Sequence, residues 1–113
     1  MAKHEFGIMQ TPPQKGVRYD EYEPHKYNCI SVDDEYIEEI DKKVLDMPAF
    51  WHTIDKEEKG LAYCGITLIP PTSVEYIMRL LPAEDELLEF MELLKTAQKE
   101  NKFIIHYGLW KML

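Results

Sequence analysis

Leu61-Ala62-Tyr63-Cys64-Gly65-Ile66-Thr67-Leu68-Ile69-Pro70-Pro71 is the stretch on which the reading of this chain turns. It is rich in β-formers and closed by two prolines, so a strand is expected from Leu61 to Ile69. The charged run Asp55 to Gly60 before it reads as a turn, and Phe50 to Ile54 as the partner strand of a hairpin. Further back, Tyr27 to Ser31 reads as a short strand. Ile37, Ile40, Val44 and Met47 then fall at helical spacing, which predicts a helix from about Val32 to Asp46 with Asp33, Asp34 and Glu35 at its positive end. Downstream, Thr72 and Glu75 have capping-box spacing ahead of Val74, Ile77, Met78 and Leu81. Pro82 interrupts that helix. Ala83 to Glu86 restarts it, the stripe Leu87, Phe90, Met91 and Leu94 carries it to about Glu100, and Asn101 stands where a cap belongs. Phe103 to Leu109 is the last strand.

From Tyr27 the order is therefore βαββαβ. This predicts an α+β, ferredoxin-like fold: a four-stranded antiparallel sheet in the order 4-1-3-2 with the helices on one face. At 113 residues one domain is expected over 1–113. Residues 1–26 stand apart from this core of 27–113. Their Pro12-Pro13 and polar Tyr19 to Pro24 run suit neither helix nor central strand, apart from a short candidate strand at Glu5 to Met9. They are expected to form an extended arm that covers the face of the sheet away from the helices.

Composition narrows the function classes. Asp and Glu number 21 against 13 Lys and Arg, a formal net charge of −8. A field of that sign repels phosphate backbones and anionic lipid, so no nucleic-acid or membrane partner is expected, while a basic protein would be attracted. Cys29 and Cys64 are too few for a disulfide framework and lack C-x-x-C spacing. The opening residues have no apolar signal-peptide core, and the expected compartment is the cytoplasm. Neither G-x-G-x-x-G nor a phosphate-binding G-x-x-x-x-G-K-[ST] occurs, so no cofactor is expected. His25, Cys29, His52, Cys64 and His106 are scattered, and no metal site is expected.

Strand alternation converts the topology into a surface. Ala62, Cys64, Ile66 and Leu68 form the uniformly apolar set of their strand and are expected beneath the helices. Phe103, Ile105, Tyr107 and Leu109 follow them, with Phe50, His52 and Ile54. The opposite face would then carry Tyr27, Cys29, Trp51, Tyr63, Thr67, His106 and Trp110 around Gly65 and Gly108. Trp51, Tyr63, His106 and Trp110 are the candidate ligand-binding residues there. Cys29 and His106 would approach each other across neighbouring strands, as a nucleophile and its base would.

The run from Lys59 to Pro71, with the opening His4-Glu5-Phe6-Gly7-Ile8-Met9, resembles small uncharacterised bacterial proteins. The resemblance implies no activity and no site residue. The function expected from the sequence is a non-enzymatic binding or interaction module, self-associating as a homodimer. The alternatives are a small enzyme or ligand sensor working on the aromatic sheet face, and an acidic inhibitor or immunity-type protein for a basic partner.

Overall fold

A computed structural model describes residues 2–109. Its strands are β1 (Lys3–Ile8), β2 (Ile30–Asp33), β3 (Pro48–Trp51), β4 (Glu57–Lys59), β5 (Ile66–Ile69) and β6 (Ile104–Tyr107). The helices are α1 (Asp34–Lys43), α2 (Val74–Met78) and α3 (Leu88–Glu100), with 3-10 turns at Pro71–Ser73 and Asp85–Leu87. All strands join one six-stranded sheet in the order β2-β1-β6-β5-β3-β4, and every neighbouring pair is antiparallel.

The four-stranded ferredoxin-like sheet is therefore not the fold of this chain. The expected first strand, now β2, does not pair with the last. β1 lies between them, pairing Phe6 with Ile30 on one side and with His106 on the other. A second added strand, β4, forms inside the charged run and pairs with β3 at the sheet's outer edge. Its Glu-Glu-Lys sequence suits an edge, where charge discourages pairing with another chain. The expected neighbours β3 and β5 do pair antiparallel, with Phe50 opposite Leu68 and Trp51 opposite Thr67.

The facing of β3, β5 and β6 is also opposite to expectation, whereas Tyr27 and Cys29 do lie on the face away from the helices and Ile30 packs beneath them. The core beneath the helices contains Phe6, Ile69 and Ile104 with Ile37, Phe90 and Leu94. Thr67 and His106 share that side by alternation. Ile66, Leu68, Ile105 and Tyr107 point the other way, into a second cluster with Met9. Every residue of β5 and β6 is buried, so both faces of these strands are interior. An apolar set on one face therefore does not tell which face meets the helices.

The second face is covered from within the chain. Residues 10–29 cross it between β1 and β2, and Tyr19, Tyr27 and Cys29 pack on its cluster. The crossing is held by the Tyr19 N–H on the His52 carbonyl at 2.6 Å and the Met9 N–H on the Phe103 carbonyl at 2.9 Å. Asp55 accepts from the Gly16 N–H at 2.9 Å. Gly7 makes this packing possible: a Cβ there would lie 2.6 Å from the Tyr27 carbonyl oxygen and 2.8 Å from the Cys29 Sγ.

Candidate functional site

The helix side of the sheet contains a chain of four polar side chains across three neighbouring strands. Thr67 of β5, His106 of β6 and His4 of β1 are fully buried, and Asp34 opens α1. Thr67 Oγ1 lies 2.9 Å from His106 Nδ1, His106 Nε2 lies 2.8 Å from His4 Nδ1, and His4 Nε2 lies 2.9 Å from Asp34 Oδ1. With Asp34 ionised and both rings neutral, one direction of donation satisfies every atom. Thr67 donates to His106, His106 to His4, and His4 to the carboxylate, while the Ala62 N–H donates to Thr67 Oγ1 at 2.8 Å. The Tyr63 hydroxyl donates to the same Asp34 oxygen. Burial by itself would push the Asp34 carboxyl up, but the hydrogen bonds from Tyr63 and His4 hold it below the usual aspartate range. Burial, followed by the bond to Asp34 and its charge, raises the Tyr63 phenol.

Asp, His and a hydroxyl in sequence are the parts of a nucleophile relay. Here the hydroxyl end is sealed: Thr67 and both rings have 0% exposure, and only the Asp34 end reaches solvent, its side chain 24% exposed. The arrangement joins β1, β6, β5, the Ala62–Gly65 turn and the start of α1 through satisfied buried hydrogen bonds. It is a clamp, and it offers no nucleophile to a substrate.

The candidates read from the sequence are dispersed by this fold. His106 belongs to the clamp on the helix side, whereas Cys29 lies half-buried over Gly7 on the opposite side of the sheet, so the two do not form a pair. Tyr63 turns toward the clamp, its ring 5.0 Å from that of His4. Trp51 lies at the β3–β4 edge and donates its indole N–H to the Gly60 carbonyl at 3.0 Å. Trp110 lies outside the described residues. His52, in a left-handed conformation at φ 64°, binds Asp20 at 2.8 Å and accepts the Ile66 N–H at 3.3 Å. Among the described residues no group of three or more His, Cys, Asp or Glu converges as a metal site would require.

A second site, which sequence reasoning missed, lies where residues 10–29 cross the sheet. Two adjoining hollows of about 400 and 380 Å³ share Val17, Tyr19, Lys26 and Tyr27 as walls. Met9 lines the first, and Ile105 and Tyr107 of β6 line the second. The loop reaches β6 through the Glu23 N–H on the Tyr107 hydroxyl at 3.2 Å. The Tyr22 hydroxyl donates to Glu5, and its ring meets that of Tyr107 edge-on at 5.2 Å. Burial and then the Glu5 carboxylate push the Tyr22 phenol up to about 12. Burial likewise raises Tyr107 and, against the opposing pull of Lys26, Tyr27. These phenols remain protonated hydrogen-bonding groups at neutral pH.

No protein-family model, curated protein or solved structure matches this chain.

Proposed function

We propose that this protein is a small binding module whose ligand site is the cleft between residues 17–27 and β6. The observation that carries the reading is the pair of hollows sharing one tyrosine-rich wall, each within the size range of small-ligand pockets. The cleft combines apolar floor residues with phenol hydroxyls, and its outer wall is a loop attached at a few polar latches. A loop of that kind adjusts to a ligand more cheaply than a sheet or helix does. The clamp has the reactive groups but no access, so the reading is of binding without chemistry.

Amide-shift mapping of the labelled full chain against a panel of neutral, anionic and cationic small fragments tests this. Saturable shifts should concentrate on Val17–Tyr27, Ile105 and Tyr107. Binders that instead gather their shifts around Asp34 and Tyr63 would move the site to the clamp and overturn the reading.

A further inference from the structure

We propose that the cleft receives an alkylammonium cation, seated on the faces of Tyr19 and Tyr27 and held by the carboxylates of its rim; this rests on the binding reading above. The rings are the first support. Tyr19 and Tyr27 wall both hollows, and the face of a phenol ring attracts positive charge through its quadrupole. The chain itself supplies the second. The Lys26 ammonium lies 5.5 Å from the centroid of the Tyr27 ring, so that face already holds a cation. Lys26 is also 59% exposed and 3.9 Å from Glu23, a loose attachment that leaves it able to swing aside.

Charge is the third support. Asp20, Glu21 and Glu23 line the second hollow together with Arg18 and Lys26, three carboxylates against two cations. Arg18 neutralises Asp20 at 2.9 Å, whereas Glu21 has no hydrogen-bond or ion-pair partner among the described residues. The whole chain adds a net charge of −8. An anion entering the cleft would oppose this field, and a neutral ligand would leave it unused. For an organic cation the rings and the field act in the same sense, and a methylated ammonium is the least costly to desolvate against them.

The test follows cleft amides of the labelled full chain during titration with choline, with its neutral isostere 3,3-dimethylbutanol, and with sodium chloride at matched ionic strength. A trimethyl-lysine peptide run in parallel separates a small cation from a side-chain one; tighter binding of either than of the alcohol supports the proposal. Choline should bind about two- to five-fold more tightly than the alcohol, as expected for one cation–π seat. Lys26→Met, which vacates the Tyr27 face, should tighten choline about three-fold, and Glu21→Gln, at an exposed position, should weaken it by a similar factor. If the alcohol shifts the same amides with equal affinity, the cleft binds but not by charge, and the cation proposal falls while the binding reading stands. If neither choline nor the trimethyl-lysine peptide shifts the cleft amides, the proposal also falls, and the fragment mapping alone then decides whether the cleft binds at all.

Discussion

At the scale of single residues, the clamp makes sharp demands. Thr67→Val keeps the shape of the side chain but leaves the Ala62 N–H and His106 Nδ1 without their partner. This should cost about 1–3 kcal/mol in urea melts, the penalty for stranding buried polar groups. A stability unchanged within about 0.3 kcal/mol would show that the hydroxyl is not engaged. Asp34 adds a pH dependence. Its carboxyl is held below the unfolded aspartate value of about 3.9, so its contribution is fully present above that pH and is lost as pH falls through the lower folded value. Asp34→Asn should therefore be destabilising at pH 7, with a penalty that shrinks in acid. Melts showing a penalty that is constant or grows toward low pH would contradict the assignment. Gly7 sets a separate limit. An alanine Cβ would collide with the backbone of Tyr27, so Gly7→Ala should loosen the 10–29 crossing and increase binding of an apolar dye.

At the scale of elements, a strand near Glu5 to Met9 was legible, but the internal place of β1 in the sheet was not. His4-Glu5-Phe6-Gly7-Ile8 alternates as a strand should, yet a histidine in the buried set and a glycine in the other weaken the signal. Both are explained by contacts no periodicity reports: His4 by a partner 102 positions away and Gly7 by the close approach of Tyr27 and Cys29. Elements whose burial follows sequence pattern were legible. α1 buries Ile37 and Ile40 and α3 buries Phe90 and Leu94 as expected, although α1 spans only Asp34–Lys43, with Val32 in β2 and Val44 and Met47 beyond its end. Asn101 takes the left-handed cap at φ 58°, and β3 pairs with β5. The spacing of Thr72 and Glu75 does precede a helix, α2, but no side-chain cap forms there and the neighbouring Ser73 hydroxyl instead donates to the Pro48 carbonyl at 2.5 Å. The strand read from Leu61 shortened to β5 because the Gly65 N–H turns back to the Ala62 carbonyl at 2.9 Å, which aims Tyr63 at Asp34. Strand facing was lost for a different reason. With both faces covered, Ile66→Ala should cost about 2–5 kcal/mol whichever way the strand points, so stability alone does not report facing. Deleting residues 1–9 is more informative. Without β1 the edge strand β2 has no neighbour, and the truncated chain should lose its cooperative urea transition; a cooperative transition would contradict an internal β1.

At the scale of the whole molecule, the two faces of one sheet divide the work. The helix face is closed by an apolar core with the clamp inside it, and the opposite face is closed by a loop that leaves clefts. The surplus of 21 acidic over 13 basic residues surrounds both, and self-repulsion should make thermal stability rise between low salt and about 0.15 M salt. A melting temperature that falls over that range would mean attractive ion pairs dominate. The cleft site was illegible in sequence because Tyr19, Tyr27 and Tyr107 come from a loop and a distant strand, and only the crossing brings them together.

The central claim is that the polar chain on the helix face is a sealed clamp, which leaves binding to the opposite face. Nitrogen-15 spectroscopy of the histidine side chains near neutral pH tests it most directly. The account predicts that His106 Nε2 holds a slowly exchanging proton, with measurable coupling through the hydrogen bond to an unprotonated His4 Nδ1. Ring protons on both histidines that exchange rapidly with water, without that coupling, would show the site to be open and would contradict the account.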